Sequence, residues 1–285
     1  MELLYHCYKI LSYHGVPEMP ELPDVEGFRR VVTQHLRGRR IQDVRVRDSS
    51  LLRNASPAQL GQALEGRTVA GAERQGKWLL VATGGSREPK LLLHFGMTGE
   101  LVWGSAQDQA HPHDRLRIAA DGGELKYRDQ RKLQGIWLAG DREHAEQIMG
   151  RQGPDALGLR APSLERILRG RRGGLKGVLM DQTVIGGLGN LLSDEILWQA
   201  RLDPRRRAGD LNRSEVSTLH RTMARVLRAS VRAGRVPPRS GWLTGVRDQD
   251  GALCPRCGAQ LHRDRAGGRR TCWCPSCQRG RERHD

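Results

Sequence analysis

The sequence predicts an α+β chain of several domains: an amino-terminal antiparallel β-sandwich with a flanking helix, then a helical domain that ends in a metal-bound β-hairpin. Three observations carry that prediction. Short alternating apolar and polar runs fill the stretch from Ile41 to Leu138. Helical periodicity takes over after a Gly- and Pro-rich break at "MGRQGPDALGLRAP". Five of the six cysteines crowd between Cys254 and Cys277. A chain of 285 residues is long enough for two cores. The expected division is an extension at 1–18, a sandwich domain at 19–149, a linker at 150–161, a helical domain at 162–245, a finger at 246–279 and a frayed tail at 280–285.

Each element has its own signal. "PELPDVEGFRRVVTQHLRG" reads as a helix, with Pro23 in its first turn, Val25, Phe28, Val31, Val32 and Leu36 at helical spacing, and Gly38 as a stop. The strand-like runs are "IQDVRV", "RTVAGAERQGKWLLVAT", "KLLLHFGMTGELVW", "RLRIAA", "ELKYRDQ" and "GIWLAG", punctuated by Gly, Asp and Ser. Beyond the break, "SLERILRGRR", "LKGVLMDQTV", "LGNLLSDEILWQA" and "RSEVSTLHRTMARVLRASVRAG" keep the helical period.

Forty-eight basic residues against 32 acidic ones leave a net charge of +16. That excess points to a polyanionic partner, nucleic acid before an anionic membrane surface; a generally arginine-rich composition is the bland alternative. No run approaches the eighteen apolar residues of a membrane span. "MELLYHCYKILSY" lacks a charged start and a cleavage site, so it makes a poor signal peptide. Clustered cysteines favour a metal site in a reducing compartment over scattered disulfides.

The cysteines are the most specific local signal. Cys254 and Cys257 form one C-x2-C knuckle, and Cys274 and Cys277 form a second, sixteen residues on. Four thiolates at that spacing suit one closed tetrahedral Zn2+ that stabilises a hairpin too small for a core. His262 is a lesser candidate ligand, and Cys272 falls outside the knuckles as a free thiol. Arg256, Arg263, Arg265, Arg269 and Arg270 give the hairpin the charge to grip phosphates. Upstream, the Gly186–Gly189 turn stands between two apolar helices with Asn190 at the start of the second. Backbone N–H groups at such a turn are a ready phosphate site, although ordinary helical hairpins use glycine too.

Taken together, "MPELPDVE", "LMDQTVIGGLGNLLSDEILWQARLDP" and the C-x2-C-x16-C-x2-C array resemble the formamidopyrimidine-DNA glycosylase and endonuclease VIII family of base-excision repair enzymes, from about Met19 to Gln278. The resemblance implies a helix–two-turn–helix domain, a zinc finger, and a bacterial, cytoplasmic, nucleoid-associated monomer. Its partner is double-stranded DNA containing oxidised bases or abasic sites. It also implies a bifunctional enzyme that removes formamidopyrimidine, 8-oxoguanine or oxidised pyrimidines and nicks the strand by β,δ-elimination. By the same resemblance Pro20 is the nucleophile once the methionine before it is removed, and Glu21 protonates the opening sugar with Asp24 and Glu26 as neighbours. Lys77, on a strand, faces the lesion phosphate; Lys176, Asn190 and Arg269 bind phosphates; Met97 fills the hole left by the flipped base. In "DQRKLQGIW", Arg131 or Lys132 probes the orphan base and Leu133 stands in for an aromatic wedge.

This chain departs from the family pattern in three places. Met1 to Glu18 precede the nucleophile, and an internal proline is an amide. The expectation is a translation start at Met19; if the segment is retained, the alternative is a catalytically silent binder of damaged or bent DNA. The stretch from Gly234 to Leu253 is short beside members with a long capping loop over 8-oxoguanine. The wedge loop carries one extra residue before Gly135. An RNA-binding protein is a third reading, and the order of sheet, helices and finger ranks it last.

Overall fold

The computed structural model describes residues 19–84 and 88–278. The leading segment 1–18 and the tail 280–285 lie outside the described residues.

Helix α1 (Leu22–His35) is the first element of the described residues, with Pro23 in its first turn and the Glu21 amide donating to Asp24 Oδ2 at 2.9 Å. β1 (Ile41–Val46), α2 (Pro57–Leu64), β2 (Val69–Gln75), β3 (Trp78–Thr83), β4 (Lys90–His94), β5 (Glu100–Gly104), β6 (Asp114–Ala120), β7 (Gly123–Arg128) and β8 (Gly135–Ala139) follow. The strands form two four-stranded sheets, in the orders β1-β6-β7-β5 and β2-β3-β4-β8. Every pairing within them is antiparallel. The expected sandwich is present, and its core joins Leu79, Val81, Leu91 and Leu93 of one sheet to Leu101, Leu116, Ile118 and Leu125 of the other.

The unbroken apolar run of β4 has a separate cause. Leu92, with Leu80 and Ala139, turns outward beneath helix α3 (Arg142–Met149), which contributes Ala145 and Met149. The second sheet is therefore buried on both faces, and its strands need not alternate.

The helical half comprises α4 (Ala161–Leu168), α5 (Leu175–Met180), α6 (Asn190–Ala200) and α7 (Arg213–Ala233) around a second core. Leu22, from the first turn of α1, belongs to this core, whereas Val25, Phe28 and Val32 belong to the sandwich. One helix thus roots the sandwich and the helical half in each other. The segment expected as a linker is likewise docked. Ala156 and Leu159 enter the helical core, and Gly186 exchanges backbone hydrogen bonds with Pro154 and Ala156 at 3.0 and 2.9 Å.

β9 (His262–Ala266) and β10 (Arg269–Trp273) form the terminal hairpin. Its small core of Leu243, Leu261, Cys254, Cys272 and Cys274 packs against Trp198 of α6. No helix among the described residues is long and apolar enough to cross a membrane.

Candidate active site

The site forms where the amino-terminal ends of α1 and α6 meet. Glu21, only 2 % exposed, projects its carboxylate onto the start of α6. It accepts hydrogen bonds from the amides of Gly189 (2.8 Å), Leu191 (2.8 Å) and Leu192 (3.2 Å). The glycines of the turn are there because Glu21 and Leu22 fill the space beside them. A Cβ on Gly189 would stand 2.3 Å from Glu21 Cδ, and one on Gly187, at φ +104°, would stand 2.6 Å from Leu22 Cδ1. Pro20, half-buried, immediately precedes Glu21.

Lys77 comes to the same place from the sandwich. It sits in the two-residue turn between β2 and β3, with Gly76 at φ +58° before it. Its side chain is 7 % exposed and makes no hydrogen bond or ion pair within the described residues. Burial lowers its pKa, the Glu21 charge opposes that, and the nearby Arg269 guanidinium of the finger adds to it. For Glu21 burial raises the pKa, against the charge of Lys77 and the three amides. Asp24 is pushed up to about 7 by burial, with the Glu21 charge adding and the hydrogen bond from the Glu21 amide opposing. Asn190 opens α6, and its buried Oδ1 has no partner among the described residues. Pro20, Glu21, Lys77, Asn190 and Arg269, distant in sequence, therefore converge.

An ionic clamp holds the Lys77 turn in place. Arg74, its side chain 6 % exposed, pairs with Asp155 of the docked segment and with Glu26 of α1, and donates to Gly76 O at 3.0 Å. Asp155 also accepts from the Gly76 amide at 2.9 Å. His94, at the end of β4, packs edge-on against Trp78 with ring centroids 4.9 Å apart. Burial, with help from the Lys77 charge, depresses it to about 4, so it is a neutral imidazole at physiological pH.

Further along the sandwich rim, Asp129 organises the wedge loop. Its Oδ1 accepts from Thr98 Oγ1 at 2.5 Å and from the amides of Arg131 and Lys132 at 3.0 and 3.1 Å. This draws Arg131 onto Met97, with Nη1 3.1 Å from Sδ. Lys132, at φ +52°, turns away and pairs with Asp48 at 2.9 Å. Leu133 is left 50 % exposed. His113 and Arg115 flank the loop, Arg115 donating to Asp129 O at 2.8 Å.

In the finger, the ligand atoms of Cys254, Cys257, Cys274 and Cys277 all lie within 4.8 Å of one another. The Cys254–Cys277 and Cys257–Cys274 sulfur distances are 3.9 and 3.5 Å. A tetrahedron with metal–sulfur bonds of about 2.3 Å has edges of about 3.8 Å, so the four thiols fit a metal ion. Trp198 Nε1 donates to Cys254 Sγ at 3.3 Å, ordering the site from α6.

With this geometry in view, comparison with known proteins is decisive. Residues 19–136 match the formamidopyrimidine-DNA glycosylase N-terminal domain and residues 153–239 match its H2TH domain. The chain belongs to the formamidopyrimidine-DNA glycosylase family. The Laribacter hongkongensis formamidopyrimidine-DNA glycosylase is 36 % identical over 276 residues, covering 92 % of this chain and 100 % of that protein. The Moorella thermoacetica protein of the same name is 37 % identical over 264 residues, covering 87 % and 95 %. The Lactococcus lactis formamidopyrimidine-DNA glycosylase bound non-covalently to DNA containing an AP site superposes with a TM-score of 0.82 at 27 % identity, covering 92 % of this chain and all of that one.

Within this family frame three sequence expectations change. The amides at the start of α6 are not open to a phosphate, because Glu21 already occupies them. Lys77 lies in a turn rather than on a strand. Lys176 is not a phosphate ligand: it is fully buried, donates to Arg270 O (2.8 Å) and Thr271 Oγ1 (2.7 Å), and pairs with Asp194 at 2.7 Å. It ties α5 and α6 to the finger hairpin. Sequence reasoning missed Arg74, Asp155 and His94. Arg74 and Asp155 meet only through tertiary contact and carried no local signal, whereas His94 stands three residues before Met97 in a strand already identified.

Proposed function

We propose that this chain is a base-excision DNA glycosylase with AP lyase activity, acting on oxidised bases in duplex DNA. The observation that carries the reading is the buried, unpaired Lys77 beside the buried Glu21 carboxylate, next to Pro20. A lysine largely withdrawn from water, with acidic charges near it but none in contact, is favoured by an anionic ligand that reaches its ammonium. The Lactococcus structures that this fold resembles hold DNA with an AP site or a Fapy-dG lesion, and a further one of similar fold holds carbocyclic 8-oxo-G.

Once Pro20 is amino-terminal, its secondary amine titrates near pH 8 and is partly neutral at physiological pH. Its lone pair attacks C1′ of the damaged nucleotide as the C1′–base bond breaks and the base leaves with its electron pair; the amine proton is then lost, and cleavage of the C1′–O4′ bond, with O4′ taking up a proton, leaves an iminium. Glu21 carries protons to the opening sugar, helped by burial that favours its neutral form. Lys77, Asn190 and Arg269 hold the lesion phosphates. Met97 and Leu133 fill the space left by the extruded base, and Arg131 probes its orphan partner. Lys132, held by Asp48, serves the loop rather than the base. Cys254, Cys257, Cys274 and Cys277 would hold one structural Zn2+, which sets the finger that presents Arg269. The short path from Gly234 to Leu253 places formamidopyrimidines and oxidised pyrimidines within the substrate range alongside 8-oxoguanine.

Borohydride trapping tests this. A chain starting at Met19 should be captured covalently on abasic or oxidised duplex, and acylation of its terminal amine should abolish capture. Absence of any adduct would overturn the reading. Pro20 within the 285-residue chain is an amide, which supports a second reading for that form: it binds lesion DNA without cleaving it.

A further inference from the structure

The exposed ridge of α7 carries Arg221, Arg225, Arg228 and Arg232. At 3.6 residues per turn these positions fall within an arc of about 60°, and from first to last they span about 16 Å. None pairs with a carboxylate among the described residues; Arg221 reaches only Thr218 and Arg225 only Gln199. Elsewhere arginines on or beside helices find a nearby acid: Arg29 with Glu26 on α1, Arg142 with Glu146 on α3, and Arg169, just past α4, with Glu165. The only acid on α7, Glu215, is held by Arg206. Like charges three and four residues apart destabilise a helix, so the ridge carries an electrostatic cost that the helix's negative end relieves only at Arg232.

The ridge faces solvent on a helix separate from the two that form the site. The ends of α1 and α6 that form the site are their amino termini. Arg225 meets α6 at Gln199 (2.9 Å), nine residues beyond Asn190, and Arg30, nine residues beyond Glu21, reaches the α7 backbone at Val231 (3.1 Å). Nine helical residues are about 13 Å. α7 therefore meets α6 at its far end, while its own carboxy-terminal end lies near the first turn of α1, where the Arg235 charge acts on Asp24.

We propose that this ridge is a second DNA-binding face, which takes the phosphates of a duplex segment other than the one at the lesion site. It rests on the reading that the site itself holds DNA, since a polymer already bound there presents its neighbouring segments at high effective concentration. One strand of duplex offers a phosphate about every 3.4 Å along the axis, so a rigid 16 Å row of guanidiniums meets several at once. An enzyme holding two segments passes from one to the other without release.

The test fills the site first. The full chain is saturated with a short duplex carrying a non-reactive abasic analogue, and a longer undamaged duplex with a second fluorophore is titrated in. The wild type should bind both together. With four phosphate contacts the second affinity should fall about a hundredfold between 50 and 200 mM salt. The quadruple variant R221Q/R225Q/R228Q/R232Q should bind the abasic duplex as the wild type does, which reports an intact fold, and should lose the second duplex by at least about tenfold. A wild type that never takes a second duplex, or a variant that takes it equally well, overturns the proposal. If the abasic duplex itself fails to bind, the reading of the site falls instead. The ridge is then judged by whether the four substitutions weaken binding of undamaged duplex alone.

Discussion

Asp155→Asn is the sharpest probe of how the two halves of the molecule set the site. The two Asp155 oxygens accept four donors: Oδ2 takes Arg74 Nη1 and the Gly76 amide (2.9 Å), and Oδ1 takes Arg74 Nη2 (3.0 Å) and the Leu157 amide (3.1 Å). Asparagine matches the shape but replaces one oxygen with an NH2 group. Whichever way it faces, two donors are left pointing at a donor. Arg74 keeps Glu26 and Gly76 O, so its charge is not abandoned. The Asp155 side chain is 27 % exposed, which places the cost at the low end for a broken buried pair, about 2–3 kcal/mol. For a protein of this size that lowers Tm by roughly 5–10 °C. The kinetic effect follows from position. Gly76 is tied by its amide to Asp155 and immediately precedes Lys77, so a relaxed turn moves the lysine by a fraction of an ångström or more. A misplacement of about 1 Å costs up to a hundredfold in rate, so borohydride trapping should slow by at least about tenfold. Calorimetry and single-turnover trapping on the Met19-start chain measure the two effects. A Tm within one degree of wild type and a trapping rate within twofold would refute the claim that this clamp positions Lys77.

Four further outcomes are expected. Leu133→Ala, at a side chain already half in solvent, should leave stability within about 0.5 kcal/mol while lowering excision from duplex, because on the proposed mechanism it acts only when a base leaves the stack; thermal unfolding and lesion-duplex kinetics separate the two. Asp24 has its pKa raised to about 7 in the folded chain against an ordinary value near 4, so its share of stability is full below about pH 4 and is lost as pH rises to about 7. Asp24→Asn should therefore flatten the fall in Tm between about pH 4 and 7, as read by calorimetry at several pH values. Cys274→Ser should reduce bound metal from one ion per chain to none by elemental analysis and should weaken lesion binding, since a metal at that site would help set the hairpin that carries Arg269. Lys176→Met should loosen the hairpin without touching DNA, leaving metal content intact while weakening binding of abasic duplex.

The parts legible in the sequence were those that local chemistry dictates. β1 at Ile41–Val46 and α7 at Arg213–Ala233 follow directly from their periods, and the four cysteines from their spacing. Two helices escaped notice for opposite reasons. α2 carries a readable start, Ser56 and Gln59 capping each other reciprocally at 3.2 and 2.8 Å, but it is a short insertion in a stretch dominated by strands. α3 has little apolar content of its own and exists because the outer face of the second sheet needs a cover. The site divides the same way. Glu21 and Asn190 stood in recognisable motifs, whereas the phosphate-binding role that the family resemblance implied for Lys176 does not fit its complete burial. Its three acceptors come from α6 and the finger, out of reach of any local window.

The seat of Glu21 explains why the two halves cannot be assigned separate tasks. A helix amino terminus favours an anion, and three converging amides favour the carboxylate form of the acid they hold. Burial acts the other way, and the net displacement is upward. A carboxyl balanced between these influences changes protonation when a nearby charge changes, and the nearest is Lys77. A phosphate that engages Lys77 would draw the ammonium's field away from Glu21 and add its own negative charge, both of which raise the carboxyl's affinity for a proton. Lesion binding would then prepare the acid that the opening sugar requires. On the proposed mechanism, the glycine turn of the helical half would then belong to the catalytic apparatus, because its amides hold Glu21. Gly189→Ala, which would drive a Cβ to 2.3 Å from Glu21 Cδ, should shift the pH–rate profile for trapping as well as lower the rate, while an equally disruptive change in the sandwich core should lower the rate at every pH alike. A Gly189→Ala profile of unchanged shape would mean that the α6 amides do not govern the acid.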